Sequence, residues 1–481
     1  MLFNSFEFLF FLPIVWIAYW SLKNHLRLQN LLVVVASYVF YGWWDWRFLI
    51  LIAFTSAWSY VVGLVELRRW EARPSRALLT ISLIVNLGIL GVFKYYDFFV
   101  DSFVSAFGFL FPGTLSASTS SLHLILPVGI SFYTFQALSY TIDVYRRNIR
   151  PTRDPFAFFA FISFFPQLVA GPIERATNLL PQFLREKEFS YPDAVVGCRQ
   201  MLWGFFKKMV VADNCAVVVN QYLNNGGMDN GLMILCGAFL FSVQIYCDFS
   251  GYSDIAIGCS KLFGVKLMRN FAFPYFARDI AEFWRRWHIS LTTWFRDYLY
   301  IPLGGSRCSK AKMVRNTFAI FLVSGLWHGA NWTFVAWGAF HAFLFLPLLL
   351  RGKNRKYLTS VAEDRALPSL SELGLIARTF LLAMLGWMLF RATSIPEAGR
   401  WFASLLNVTS YGVDTNFPHA GRVVFPMIGL MFVCEWLNRR ELFGCARYPQ
   451  WTVFRWLIYF AITLLIFMYA PGSQTFIYFQ F

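Results

Sequence analysis

The sequence predicts an all-α membrane protein whose helices cross the lipid bilayer many times. Hydrophobic residues make up 58% of its 481 residues and charged residues only 14%. An average globular domain carries about 25% charged residues. The charges are also gathered in short clusters between long apolar runs. A soluble fold of this length has no means of burying so much apolar surface, so the surrounding solvent is expected to be lipid.

The apolar runs predict roughly eleven to thirteen membrane segments, several of them long enough to cross a hydrocarbon core about 30 Å thick. Glycine and proline interrupt others, at Gly171-Pro172 and at Gly251, which predicts re-entrant or discontinuous helices. We expect a single membrane domain over 1–481, with a polar insertion at 266–315 as its largest interruption. The runs lie at 5–21, 29–41, 46–66, 77–95, 122–143, 155–171, 200–222, 232–264, 316–350, 373–391, 423–437 and 452–470.

The distribution of charge along the chain indicates which binding partners the protein has. The opening MLFNSFEFLFFLPIVWIAYW has its positive charges, Lys23 and Arg27, after the apolar run, so we expect a retained first membrane helix. The net charge of +16 is spread over basic clusters between apolar runs, which is the positive-inside pattern. No basic-aromatic groove is apparent, so we expect the lipid bilayer and no nucleic acid as a partner. The spacing of histidines and cysteines predicts no metal site.

Residues 279–307 predict an amphipathic helix that lies at the membrane interface. Aromatic residues recur there at three- and four-residue steps, which makes one face rich in tryptophan. The other side carries Arg285, His288 and Arg296, with Arg286 beside them. The arginines have two interpretations: positive charges that meet anionic headgroups, or guanidinium groups that grip a phosphate-rich acyl donor. His288 shares their side and is therefore a candidate site residue.

His328 is the strongest candidate for a catalytic residue. It follows Trp327 in GLWHGANWTFVAWG (325–338), a stretch that is otherwise apolar enough to lie in a bilayer. Ionisable residues inside a membrane span usually face a cavity and mark function, and a neutral imidazole is a competent general base for a hydroxyl. Asn331 is a candidate for holding the tautomer of the ring or polarising a carbonyl. The alternative is that His328 is only a packing residue.

Two acids lie in the apolar segment QIYCDFSGYSDIAIG (244–258). Asp248 and Asp254 flank Gly251, where we expect a broken helix whose free backbone groups need partners. The structural interpretation is that both carboxylates fix this break. Direct contact with substrate or acid-base chemistry is the alternative, so both stay candidate site residues. His341 is expected to be a core histidine whose nitrogens are satisfied.

Five ordered segments resemble the membrane-bound O-acyltransferase (MBOAT) family. They are similar to its bacterial branch, which contains the membrane subunit of alginate O-acetylation and the teichoic-acid D-alanyl transfer protein. The resemblance extends over most of the chain and is weakest in roughly 351–450. The segments are LPVGISFYTFQALSYTIDVYR (126–146), FPQLVAGPIER (165–175), QIYCDFSGYSDIAIG (244–258), FWRRWHISLTTWFRDYLYIPLGG (283–305) and GLWHGANWTFVAWG (325–338).

The resemblance implies a ring of membrane helices around a central tunnel in the bacterial inner membrane. The family's signature histidine corresponds to His328, and the second histidine of the branch corresponds to His288. The implied donor is acetyl-CoA or another acyl thioester from the cytoplasm, with no bound cofactor. In alginate-like systems a periplasmic SGNH-type protein completes the transfer to polysaccharide. His328 would be the general base for the acceptor hydroxyl, and His288 would orient or polarise the donor or share the proton.

We therefore expect an O-acetyltransferase that acts on an extracytoplasmic polysaccharide, alginate-like or another exopolysaccharide, directly or through a partner. One alternative is an acyltransferase of other specificity, which transfers a D-alanyl or fatty acyl group to teichoic acid, lipid or protein. Others, of a different class, are a glycan transporter or flippase in which His328 relays protons, and a non-catalytic scaffold. Transporters usually show repeated halves, and no internal repeat is visible in this sequence.

Overall fold

The protein is helical throughout the part of the chain that the structure describes. The computed structural model describes residues 1–110, 122, 124–169, 171–224, 230–412, 419–470 and 477, with the backbone alone for 108–110, 224 and 419–420. No β-strand occurs within these ranges. The predicted all-α class is therefore confirmed.

The internal packing of the chain divides it into two compact units. The first comprises Met1 and Phe6–Phe189, and the second comprises Leu2–Ser5 and Ser190–Phe481. All the predicted site residues belong to the second unit. The polar insertion at 266–315 within one membrane domain stays a prediction.

The first unit contains nine α-helices in its described part, besides a 3₁₀ turn at Trp46–Phe48 and a π-helical turn at Gly91–Tyr95. Asp154 accepts hydrogen bonds from the first backbone N–H groups of α7, and proline occupies the first position of that helix. The break predicted at Gly171-Pro172 is observed, since residues 171–175 are not helical. The helices are α1 (Phe6–Ser21), α2 (Leu26–Gly42), α3 (Leu49–Arg68), α4 (Arg76–Leu90), α5 (Tyr96–Leu110), α6 (Ile130–Tyr145), α7 (Pro155–Ser163), α8 (Phe165–Leu168) and α9 (Ala176–Phe183).

The second unit contains eleven α-helices in its described part, besides short 3₁₀ and π-helical turns. A π-helical turn at Phe206–Ala212 joins α10 to α11, and another at Arg296–Tyr300 extends α14. The helices are α10 (Tyr191–Phe205), α11 (Asp213–Asn224), α12 (Gly231–Leu262), α13 (Ile280–Arg286), α14 (Ile289–Phe295), α15 (Lys310–His328), α16 (Trp332–Leu350), α17 (Leu370–Arg391), α18 (Ile395–Leu406), α19 (His419–Leu437) and α20 (Thr452–Tyr469).

The broken helix expected at Gly251 is wrong, because α12 runs without interruption for 32 residues. Gly251 instead permits a close approach between helices. A Cβ atom at Gly251 would lie 2.8 Å from the carbonyl oxygen of Gly204 in α10, and one at Gly204 would lie 2.6 Å from the carbonyl oxygen of Gly251. Small residues on both sides let the two backbones touch, as is common where membrane helices pack.

The single amphipathic helix expected in 279–307 is also wrong, because the chain breaks there into α13 and α14. His288 lies between them with a backbone φ of 43°, in the left-handed region that few residues other than glycine adopt. The break turns the segment inward, so that Trp287 and His288 are each only 1% exposed. His288 therefore does not share a basic surface with the arginines.

Six helical segments of the described chain are long and apolar enough to cross a membrane, and three shorter ones are similarly apolar. The chain is accordingly a multi-pass membrane protein. The higher count of roughly eleven to thirteen segments, which includes re-entrant pieces too short to span alone, stays a prediction. The six are Trp46–Arg68, Arg76–Phe107, Gly231–Leu262, Trp332–Leu350, Leu370–Arg391 and Thr452–Tyr469, and the shorter ones are Phe6–Ser21, Leu26–Gly42 and Pro155–Leu168.

Candidate active site

The second unit brings together the two histidines that the sequence singles out. The ring centroids of His288 and His328 lie 6.4 Å apart at an interplanar angle of 60°. Both side chains are buried, at 1% and 4% exposure. The indole of Trp327 packs against both, with centroid distances of 5.8 Å to His288 and 4.9 Å to His328. Two imidazoles and one indole thus form a buried cluster.

The end of helix α15 determines where His328 lies. It is the last residue of α15, and the chain leaves the helix at Gly329 in an extended conformation. A Cβ atom at Gly329 would overlap the ring of Phe334, so glycine allows α16 to return close beside α15. The imidazole then packs edge to face against Trp337 at 5.1 Å and Phe390 at 5.2 Å. These aromatic walls keep water away from the ring.

His288 is held by a residue that the sequence analysis did not identify. Its Nδ1 atom lies 3.0 Å from Oδ1 of Asn270, which is fully buried. Its Nε2 atom is buried and has no hydrogen-bond partner among the described residues. The ring of Phe249 in α12 packs against it at 4.6 Å. Burial lowers the pKa of His288, which lies outside the long apolar helices, to about 3, so the imidazole is neutral at physiological pH.

The described hydrogen bonds of Asn331 hold the start of α16, and none of them involves His328. The side chain of Asn331 caps α16 by accepting a hydrogen bond from the backbone N–H of Thr333 at 3.0 Å. Its amide nitrogen donates to the carbonyl of Thr393 at 2.9 Å. These bonds fix the start of α16, and thereby the turn that follows His328.

The three arginines take partners away from the histidines. Arg285 and Arg286 donate to backbone carbonyls of the loop that follows α16, and Arg286 also pairs with Glu282 at 2.9 Å. Arg296 pairs with Asp297 at 2.6 Å, and its side chain is 55% exposed. None of the contacts described for these arginines involves either imidazole. Arg296 is the one with the most accessible guanidinium group.

The two acids of α12 form buried ion pairs with neighbouring lysines. Lys207 Nζ lies 2.6 Å from Asp254, and Lys208 Nζ lies 2.7 Å from Asp248. Asp248 also accepts a hydrogen bond from the backbone N–H of Ile477 at 2.7 Å. Sequence reasoning missed these lysines because they lie inside an apolar run and show no motif of their own. These ion pairs and this hydrogen bond hold the two carboxylates against other parts of the protein, in a helix that is continuous rather than broken.

A small cavity of about 10 Å³, room for about one water molecule, lies beside the buried ion pair of Lys207 and Asp254. Asn270 and Phe271 form part of its wall, and both also contact His288. Lys207, Asp254 and Arg269 supply its charged surface. Within the described ranges, no three histidine, cysteine or acidic side chains are grouped as metal ligands would be. The polar and charged groups of this cavity can therefore bind little more than a water molecule, next to the residue that holds His288.

His341 differs in part from its expected role. It is fully buried and packs against Trp284 at 4.9 Å and Trp337 at 5.1 Å. Neither of its ring nitrogens has a hydrogen-bond partner among the residues that the structure describes. It is a core histidine, as expected, but its nitrogens are not satisfied by those residues.

Comparisons with known proteins agree with the motifs of this site. Residues 149–351, which include both histidines, match the model of the MBOAT, membrane-bound O-acyltransferase family. The probable alginate O-acetylase AlgI of Pseudomonas putida is 41% identical over 85% of this chain and 80% of that protein. Its counterpart in Pseudomonas aeruginosa is 40% identical over 85% of this chain and 75% of that protein. The peptidoglycan O-acetyltransferase of Helicobacter pylori is 34% identical over 83% and 78%, respectively.

Proposed function

The chain belongs to the membrane-bound O-acyltransferase family, and from this premise we propose that it acetylates an extracytoplasmic polysaccharide. The donor is a cytoplasmic acyl thioester, acetyl-CoA, and no cofactor stays bound. The acceptor is a hydroxyl of an alginate-like or other exopolysaccharide, or of a periplasmic SGNH-type partner that passes the acetyl group on. The protein acts in the bacterial inner membrane. Relatives named for O-acetylation of alginate and of peptidoglycan, similar over more than four fifths of this chain, support this assignment.

The observation that carries the proposal is the buried pair of histidines, with ring centroids 6.4 Å apart. His328 is the general base: it takes the proton of the acceptor hydroxyl as the oxygen attacks the thioester carbonyl carbon. The C–S bond then breaks, and the thiolate leaves with that proton. His288 is the second catalytic histidine. The aromatic walls around His328 exclude water, which would otherwise hydrolyse the thioester.

The remaining site candidates divide by their contacts. Trp327 touches both imidazoles and is the proposed substrate-binding residue. Arg296, the most exposed of the three arginines, is proposed together with Arg285 and Arg286 to meet the phosphates of the donor or the headgroups of the membrane. For Asn331, Asp248 and Asp254 the described bonds favour a structural role, because each already binds a protein group.

Acetyl transfer in isolated membranes tests the proposal. Wild type, H328A, H288A and H25A would be compared at matched protein levels, since His25 is an exposed histidine of the first compact unit, whereas the cluster belongs to the second. Labelled acetyl-CoA is the donor, and label on glycan or partner protein is the readout. We expect H328A and H288A to lose at least about a hundredfold in rate and H25A to keep its rate. Unchanged transfer by H328A would make His328 a packing residue and favour a transporter or a scaffold.

The donor can be varied in the same assay. A D-alanyl carrier thioester and a long-chain acyl-CoA would be offered beside acetyl-CoA. Preferential use of either would move the assignment to an acyltransferase of the alternative specificity while leaving the histidines in their roles.

A further inference from the structure

We infer that Asn270 is a positioning residue that sets the tautomer of His288 and so presents Nε2 of that ring as a proton acceptor. This inference rests on the proposed function, because it assigns a role within the acetyl-transfer site. Asn270 lies eighteen positions before His288 in the sequence, in the loop between α12 and α13. The amide of Asn270 is the described hydrogen-bond partner of the His288 ring, whose other described neighbours are aromatic rings.

The orientation of the Asn270 amide follows from its partners. Oδ1 lies 3.3 Å from the backbone nitrogen of Ser290, whose N–H group can only donate. The hydroxyl of Ser290 also donates to Oδ1, at 3.0 Å. On its other side, Nδ2 donates to the hydroxyl of Ser253 at 3.2 Å. Rotating the amide by 180° would place its NH2 group against the N–H of Ser290, so the oxygen must face His288.

This orientation determines which nitrogen of His288 carries the proton. Nδ1 lies 3.0 Å from Oδ1 of Asn270, an atom that only accepts, so Nδ1 must donate. A neutral imidazole has one N–H group, and Nε2 is therefore a bare acceptor. Nε2 is buried without a hydrogen-bond partner in the described part of the chain. Buried acceptors of this kind are uncommon in folded proteins, and an acceptor hydroxyl would supply the missing donor.

Backbone hydrogen bonds from the loop at 270–272 also hold His288 in place. Asn270 accepts a hydrogen bond from the backbone N–H of Ile289 at 2.9 Å, and Ala272 donates to the carbonyl of Arg286 at the same distance. The loop thus binds the chain on both sides of the left-handed residue His288. Two bonds from one loop explain how this uncommon conformation is maintained.

The described side chains whose rings face His288 are two phenylalanines, a tryptophan and a second histidine, and none of them carries a fixed charge. Helix α12 contributes Phe249, at 4.6 Å, and the loop contributes Phe271, at 6.3 Å. Helix α15 contributes Trp327 and His328. His328 is therefore the titratable side chain described against this ring, with the two ring centroids 6.4 Å apart.

The tautomer of His288 decides whether the ring can polarise the donor carbonyl or accept a proton. Polarising the thioester carbonyl requires an N–H group aimed at its oxygen, but the single N–H of the neutral ring is bonded to Asn270. His288 is thus an acceptor that holds the hydroxyl proton jointly with His328. The pair returns this proton to the thiolate when the C–S bond breaks, so no further reactant is needed.

The tautomer can be measured without any activity assay. The chain has six histidines, few enough for 15N-histidine labelling and solid-state NMR of the protein in lipid, with H288Q used to assign the signal. We expect the Nδ1–H form for His288 in wild type and a changed ring signal in N270L. An Nε2–H form in wild type would overturn the inference. This result is independent of whether the protein transfers acetyl groups at all.

Kinetics separate positioning from mere structural support. We expect N270A and N270L to lower kcat about tenfold or more with little change in KM, as loss of a group that orients a catalytic histidine does. N270D keeps the acceptor oxygen and should recover much of kcat. Its carboxylate stabilises the imidazolium and raises the pKa of His288, and a base acts only when neutral. The acid limb of the pH–rate profile should therefore move to higher pH in N270D.

A matched control is Asn316, another fully buried asparagine, which donates to the carbonyls of Leu303 and Gly305. N316D should lower the yield of folded protein and leave the pH profile of the remaining enzyme unchanged. Equal losses in N270D and N270A, with an unmoved acid limb, would show that Asn270 only supports the fold. Full activity in N270A would overturn the inference as well. A folded wild type that transfers no acyl group would instead refute the proposed function.

Discussion

Lys207 and Asp254 form an ion pair whose two side chains are only 3% and 12% exposed. The hydroxyl of Ser250 also accepts a hydrogen bond from Lys207, and Gln200 donates one to Asp254. Removing one partner from such a pair leaves an uncompensated charge in a poorly solvated place. Removing both leaves polar but neutral groups, which costs less.

We predict that K207M destabilises the protein strongly, by about 3 kcal/mol or more, and that the double variant K207M/D254N is more stable than K207M. The measurement is thermal unfolding of detergent-purified protein, followed by circular dichroism and by retention of the monodisperse fraction. R296M, at a half-exposed pair, is the control and should change stability by less than about 1 kcal/mol. A double variant less stable than K207M would show that the pair itself is not the source of the effect.

At this scale the sequence predicted both histidines but not Asn270, the residue that holds His288. His328 was recognisable because an ionisable side chain in an apolar run is costly to place. Asn270 gave no signal, because an asparagine in a polar loop is ordinary and its partners Ser253, His288 and Ser290 are distant in the sequence. The hydrogen bonds that set a tautomer become visible only when the loop is folded onto α14.

Helices α10 and α12 pack backbone to backbone through glycines. Gly204 meets Gly251, and Gly197 meets Gly258 in the same reciprocal manner one or two turns away. The lysines that pair with the acids of α12 follow directly after α10. Close packing of these two helices therefore also sets the distances within both buried ion pairs.

We predict that G251A destabilises the protein by about 1–3 kcal/mol, because the added Cβ meets a backbone carbonyl that has no room to move. The control is G429A in α19, where a Cβ atom would meet no heavy atom within 4 Å, and this variant should be neutral or slightly stabilising. Thermal unfolding of both variants, under the same conditions as wild type, measures the difference. Equal stability of the two would mean that α10 and α12 can separate without cost.

The helical period was readable from the sequence, whereas the ends of the elements were not. Gly251 predicted a break and is instead a packing glycine inside α12, since glycine has the same sequence signal in both situations. The aromatic periodicity of 279–307 predicted one helix, but the left-handed conformation of His288 divides it. Hydrogen bonds from the 270–272 loop stabilise that conformation, and periodicity carries no information about them.

At the scale of the whole molecule, the hairpin of α15 and α16 indicates on which side of the membrane His328 lies. The two helices are antiparallel, because Gly325 approaches Phe334 and Gly338 approaches Phe321. Lys310 begins α15, and a further basic cluster follows the end of α16, so both basic ends lie together. By the positive-inside rule this end faces the cytoplasm. His328 lies at the opposite end, about 28 Å away along a helix of 19 residues.

In the proposed function, the donor enters from the cytoplasm and the acceptor approaches His328 from the other side of the membrane. We predict that inside-out membrane vesicles, which expose the cytoplasmic face, will use externally added acetyl-CoA to label an acceptor trapped in their lumen. Right-side-out vesicles should give at most about a tenth of that rate, because the charged donor cannot cross the bilayer. H328A vesicles of both orientations are the control for enzyme-independent labelling. Equal labelling in both wild-type orientations would contradict this orientation, and labelling confined to right-side-out vesicles would reverse it.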